Sequence, residues 1–362
     1  MWRKISWHSW CIFSILCVYF IAIIVFLSFE WILRPCKYDA LKRTPSPLVN
    51  DSIHKIAFGS CADNEDSLSL LYEITDSDVF VFLGDNIYAD TKSPTIMQMI
   101  YNRLSCKPAF QALTERVRHV LAVWDDHDFG TNDGGKHFPM KVESQALFAN
   151  FFRLDPVRVR TDGIYGNYQF RGGVNIILMD LRFNRDNLNV CSNEEKQFNG
   201  IQEIESWFYC PYVPWDFSAK HDFTMLGAKQ WKWLEEELSR SQKSNWLTIL
   251  GSSTQFGTEA NGYETWANFP HEKQRLLSLL NPLKTVVISG DVHWGEISVL
   301  ENGLIDVTSS GISNTDNNFK KKKYRKGKAH GVQNYGLIDL KTKMIHLMTH
   351  GKQILETIHF GV

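Results

Sequence analysis

The sequence predicts an α/β fold built from two sheets, on three observations. Apolar runs of β-forming residues recur along the chain, and four of them end in segments bearing acidic, histidine or cysteine residues. Stretches of helical period alternate with these runs, which implies parallel strands joined by helical crossovers. No Gly-rich fingerprint opens a helix after the first strand, which separates the chain from dinucleotide-binding domains. At 362 residues the chain is long enough for one large α/β domain with a substantial core.

The amino terminus differs in texture from the rest. Residues 1–10 form a short tail, and 11–29 (CIFSILCVYFIAIIVFLSF) carry no charge. As a helix this stretch would run roughly 28 Å, about the thickness of a bilayer core. Trp2, Trp7, Trp10 and Trp31 lie near its ends, where indoles favour the membrane interface. The expectation is an uncleaved signal anchor, making a single-pass membrane protein whose membrane contact is this helix. Charge does not orient it, because Arg34, Lys37, Lys42 and Arg43 offset Arg3 and Lys4. Two features favour a lumenal or extracellular catalytic domain: the glycosylation sequon at Asn50 and a feasible disulfide between Cys191 and Cys210.

Residues 30–52, with Pro45 and Pro47, are expected to be a juxtamembrane linker, and the folded domain is expected over 53–362. Strands are predicted at 53–61, 79–85 and 117–124, with helices at 67–75, within 95–116 and at 143–154. A hairpin is predicted for 163–170 and 174–181, about the turn Arg171-Gly172-Gly173. Residues 184–222 are polar and irregular and are taken as an insertion beside the site. Helix returns at 225–241 and 270–280, strands at 246–250 and 285–289, and four further strands close the chain at 303–308, 334–340, 344–349 and 354–360.

Ligand sites in open α/β sheets lie beyond the carboxyl ends of the strands. Four such ends read GSC (59–61), GDNIYAD (84–90), WDDHD (124–128) and SGDVHWGE (289–296). Gathered at one edge they would concentrate negative charge that only bound cations could stabilise, so a metal site is the expectation. Asp291 and His293 alternate and share a face. Asp125 and Asp126 are adjacent and in extended structure face opposite ways, so the strand's facing must choose between them.

Together with MDLR (179–182), these motifs resemble the alkaline phosphatase D, or PhoD-like, branch of the metallophosphoesterase superfamily, over residues 53–360. The resemblance implies a four-layer α-β-β-α sandwich with two mixed sheets. It implies metal ligands at Cys61, Asp85, Tyr88, Asp126, Asp291 and His293, with Asp125 and Asn132 as further candidates. A thiolate and a phenolate suit ferric iron, so the resemblance implies Fe3+ beside Ca2+, with Mn2+ and Zn2+ as other divalent choices. His127 is implied to serve the leaving oxygen, and Arg182 to offer a bidentate fork to phosphate. The implied activity is phosphomonoester or phosphodiester hydrolysis by a metal-activated hydroxide. A silent membrane-anchored binding protein and a two-metal hydrolase of other esters are the alternatives.

With 39 basic against 40 acidic residues, global charge points to no polyanionic partner, and no nucleic-acid-binding module is evident. The one basic run, 317–328 (NNFKKKKYRKGK), is expected to be a solvated loop.

Overall fold

The computed structural model describes residues 17–20, 23, 45, 47–63, 68–190, 212–216, 223–319 and 322–361. The strands are β1 Leu48–Ser52, β2 Lys55–Gly59, β3 Val79–Leu83, β4 His119–Val123, β5 Gly166–Arg171, β6 Val174–Leu178, β7 Asn189–Val190, β8 Tyr212–Val213, β9 Leu247–Ser252, β10 Thr285–Ser289, β11 Gly295–Val299, β12 Ile305–Ser309, β13 Arg325–His330, β14 Tyr335–Asp339, β15 Met344–Thr349 and β16 Gln353–His359. The α-helices are α1 Pro94–Ser105, α2 Pro108–Arg116, α3 Asp126–Phe129, α4 Lys141–Phe151, α5 Ala228–Lys243 and α6 Pro270–Leu279.

Two mixed sheets carry the architecture. One runs β1-β5-β6-β9-β10-β12-β11-β13 and the other β16-β15-β14-β2-β3-β4. Within them β6, β9, β10 and β12 are parallel, as are β2, β3 and β4. These central strands are buried on both faces, which is why they read as continuous apolar runs. A shared core joins Val81, Ile176, Ile249, Ile288 and Val307 between the sheets. Phe82 on the outer side of β3 meets Phe110 of α2 and Phe152 after α4. On the other flank, Trp231, Leu234 and Leu238 of α5 and Leu276 of α6 cover Ile177, Leu250 and Val287. The result is helix, sheet, sheet, helix.

Several expectations are corrected. Among the described residues no helix is long and apolar enough to cross a membrane. Of the predicted spanning stretch 11–29, only 17–20 and 23 are described. The preceding transmembrane helix is therefore not supported, nor is the single-pass placement with a lumenal or extracellular domain that rested on it. Residues 48–52, expected in a linker, instead form β1, which pairs in parallel with β5. Asn50 is exposed on that strand and accepts a hydrogen bond from Arg171 at 2.5 Å. The span 95–116, within which one helix was expected, holds two, α1 and α2, the second opening at Pro108. Residues 295–299, not anticipated as a strand, form β11, and the last third of the basic run, Arg325–Lys328, enters β13. Cys191 and Cys210 lie outside the described residues, whereas Cys106 is disulfide-bonded.

Candidate metal centre

The carboxyl ends of both parallel strand sets meet at one edge of the sandwich. The Ser60 amide donates to the Ser309 carbonyl at the end of β12 (3.1 Å), and the Cys61 amide to the Gly84 carbonyl after β3 (3.3 Å). Beyond these strands the backbone turns through the left-handed region at Cys61 (φ 60°), Asp85 (φ 51°), Asp291 (φ 79°) and His293 (φ 64°). Non-glycine residues rarely adopt it, and such strain concentrates where side chains are aimed for function. Gly290 permits the approach: a Cβ there would lie 2.3 Å from the Ser60 hydroxyl oxygen.

Asp85 is the hub. Its carboxylate belongs to three groups whose ligand atoms lie within 4.8 Å of one another: with Cys61 and His293, with Asp126 and His127, and with Asp125, Asp126 and Asp291. The Tyr88 hydroxyl is 3.0 Å from His293 Nε2, so Tyr88 joins the cysteine end of the cluster. Sγ of Cys61 is 3.5 Å from Asp85 Oδ2 and 3.0 Å from the Ser310 hydroxyl.

The alternation expected of Asp125 and Asp126 does not apply, because the chain leaves the extended state there. Asp125 is the N-cap of α3 and Asp126 its first residue. Both carboxylates therefore reach the cluster, with different surroundings. Oδ1 of Asp125 accepts from Arg182 Nε and from the Ser253 hydroxyl, both at 2.6 Å, and the residue is fully buried. Asp126 lines the open cavity and accepts the Asp133 amide at 2.6 Å.

Arg182 is placed differently from the phosphate fork expected of it. It is fully buried, with Nε on Asp125, Nη1 2.7 Å from Glu264 and Nη2 3.8 Å from Asp126. Asp180 explains the aim. It accepts from the amides of Ile164, Arg182 and Phe183 and from Trp124 Nε1, which turns the chain after β6 inward. The guanidinium balances carboxylates behind the site.

Burial dominates the site's electrostatics. It pushes the Cys61 thiol up to about 11 and raises Asp85 and Asp291 well above the carboxylate range, where neighbouring carboxylates push the same way. Tyr88 is raised well above its ordinary value by burial and by the charges of Cys61 and Asp85. Oδ1 of Asp85 and Oδ1 of Asp126 are buried without a hydrogen-bond partner among the described residues. Soft and hard anionic donors packed together, with unspent oxygens, fit cations that would hold these groups deprotonated.

Other residues enter that the motifs left doubtful or silent. Asp90, the last residue of the GDNIYAD segment, has Oδ2 2.8 Å from His127 Nδ1 and Oδ1 accepting the Asn132 amide. Burial opposes charge on His127, and Asp90 with Asp126 outweighs it, raising the imidazole to about 8. Glu264, from an unremarkable loop, bridges Arg182 and Arg185. Thr254 donates to Asp291 at 2.9 Å. Asn132 is exposed at the cavity and donates to Asp133, which also accepts from Tyr212 of the insertion at 2.6 Å. The cavity holds about 430 Å³ and is lined by Asp126, His127, Asp291 and His293 at its floor, with Tyr263, Trp294 and Asp316 among its walls.

The family model for PhoD-like phosphatases matches residues 57–316, the span that contains every one of these cluster residues. The chain belongs to the PhoD-like phosphatase family. As a member it is a phosphatase, and its metal-ligating cluster makes metal-dependent phosphoester hydrolysis its general activity. No curated protein matches it in sequence. A solved PhoD structure is similar to this PhoD-like chain with a TM-score of 0.65 and 14% identity, over 88% of this chain and 72% of that one. A dimetal phosphatase from Danio rerio follows at 0.51 and 14% over 86% and 100%. A purple acid phosphatase from yellow lupin seeds stands at 0.52 and 10% over 87% and 55%. At these identities the likenesses speak for the fold.

Proposed function

We propose that this phosphatase cleaves phosphomonoesters and phosphodiesters at a site of at least two cations that share Asp85. Cys61, Tyr88 and His293 with Asp85 would hold an iron ion; Asp85, Asp126 and Asp291, with Asn132 nearby, would hold calcium. The observation that carries this reading is the position of Asp85, common to all three ligand groups and with Oδ1 unspent. Bound cations would bring the pKa of a water towards neutrality and take up charge from the phosphoryl oxygens.

The chain's own residues do the rest. Asp90 accepts from Nδ1 of His127 and, with Asp126, favours the imidazolium, so Nε2 also carries a proton and can give it to the departing alcohol oxygen. Arg182 acts from behind, holding Asp125 and Asp126 in register, so its role is positioning. Ser310 and Thr254 hold Cys61 and Asp291.

The test pairs elemental analysis of the purified chain with hydrolysis of a chromogenic phosphomonoester and phosphodiester, with and without chelator. Iron and calcium in the protein, and activity lost to chelator and regained on their return, are expected. Absence of both activities after reconstitution with iron and calcium would overturn the proposal, and activity with magnesium alone would overturn the choice of ions.

A further inference from the structure

The basic run is bound into the site's wall. Lys322, only 5% exposed along its side chain, donates to Gln255 Oε1 (2.6 Å) and to Glu296 Oε1 (2.7 Å). Glu296 on β11 is fully buried and also accepts from Arg325 Nε at 2.5 Å and Gln255 Nε2 at 2.6 Å. Buried carboxylates are tolerated only when paired in this way. The Lys322 ammonium lies 4.9 Å from the Trp294 ring centroid, and Phe319 meets the same indole edge-on at 6.2 Å.

These contacts press Trp294 against the cavity. Trp294 is 2% exposed, and Tyr263, 37% exposed, stands T-shaped to it at 6.4 Å. Upstream, the amides of Ser313 and Asn314 donate to the Cys61 carbonyl and that of Asp316 to the His293 carbonyl, which ties the wall directly to the ligand positions. The cavity is thus faced by Tyr263, Trp294 and Val292, Asp133 and Asp316 also line it, and among the described residues no lysine or arginine does. A second anionic group on a substrate, carried away from the metal cluster, would meet the carboxylates of Asp133 and Asp316.

Resting on the phosphate-ester reading above, we infer that this wall selects esters whose alcohol group is uncharged and presents a flat apolar face, with Lys322 and Glu296 as the residues that position it. The alcohol portion packs on Tyr263, and a carboxylate or further phosphate on it is rejected by Asp133 and Asp316.

The test uses the metal-reconstituted full chain and three monoesters: phenyl phosphate, 4-carboxyphenyl phosphate and methyl phosphate. The kcat/KM for the carboxylated ester is expected to fall roughly tenfold below that for phenyl phosphate, chiefly through KM, the size of one poorly screened like-charge contact. Asp316→Asn should narrow that gap. Lys322→Met and Tyr263→Ala should raise KM for phenyl phosphate while KM for methyl phosphate moves little, and Lys322→Arg should restore the wild-type ratio. Tyr263→Ala serves alone if Lys322→Met does not fold. Equal kcat/KM for the two aryl esters, or KM changes of the same size for phenyl and methyl phosphate, overturns the inference and leaves the proposed reaction standing. No hydrolysis of any ester overturns the reaction, and this inference with it.

Discussion

Replacing Arg182 by methionine separates the position observed for this residue from the substrate-binding role that its motif suggests. The guanidinium is fully buried and makes charge-assisted hydrogen bonds at 2.6 Å to Asp125 and 2.7 Å to Glu264, with Asp126 at 3.8 Å. Hydrogen bonds to charged groups contribute about 1.5–3 kcal/mol each. Removing one side of a buried ion pair typically costs about 3–5 kcal/mol, because the abandoned charge cannot reach water. Arg182→Met is therefore expected to lose about 3–5 kcal/mol, a large part of the stability of an ordinary domain.

The sign of the pH dependence is also set. Burial already pushes the Asp125 carboxyl up against the pull of Arg182. Without the guanidinium, Asp125 would titrate higher still when folded, further above its unfolded value. The folded variant then binds extra protons in that interval, and its stability relative to wild type recovers as pH falls through it. Urea unfolding followed by tryptophan fluorescence at pH 7.5 and 5.5 measures both effects. A loss under about 1 kcal/mol at pH 7.5, accompanied by a raised KM, would refute the buried balancing role and return Arg182 to the substrate. A deficit that does not change with pH would refute the charge argument.

Cys61→Ser is expected to lower the iron content of the purified protein while leaving most of its calcium, as read by elemental analysis. His127→Ala should reduce kcat by about 10²- to 10⁴-fold for alkyl esters, which need a protonated leaving group, and less for 4-nitrophenyl phosphate, measured by phosphate release. Asp90→Asn should give a smaller loss with the same leaving-group bias. Gly290→Ala places a Cβ 2.3 Å from the Ser60 hydroxyl oxygen and 3.0 Å from the Ser253 carbonyl, so it should displace Asp291 and lower metal retention under dialysis.

Much of the architecture was legible because parallel strands buried on both faces must be apolar throughout. Val79–Leu83 and Thr285–Ser289 announce themselves that way. Elements whose residues alternate or carry charge did not. β1 sits at a sheet edge with exposed and half-buried residues, and β13 begins inside a lysine-rich run, so neither has the apolar signal that burial imposes. Strand alternation does not sort the adjacent pair Asp125 and Asp126, for a local reason: the chain turns into α3 between them, and the alternation of a strand stops.

By itself, the order of the residues determined the strand-end motifs, and with them the chemical kinds of ligand and the family. Those motifs are short and local, and the parallel sheet requires each to sit at a strand's carboxyl end. Only the tertiary structure decided which partners close around them. Arg182 and Glu264 lie 82 residues apart, Asp90 and His127 lie 37 apart, and Lys322 reaches Glu296 from a run whose composition looked solvated. A charged side chain is buried or exposed according to whether folding brings a counter-charge to it, and that depends on how two sheets close on each other, which no local pattern records.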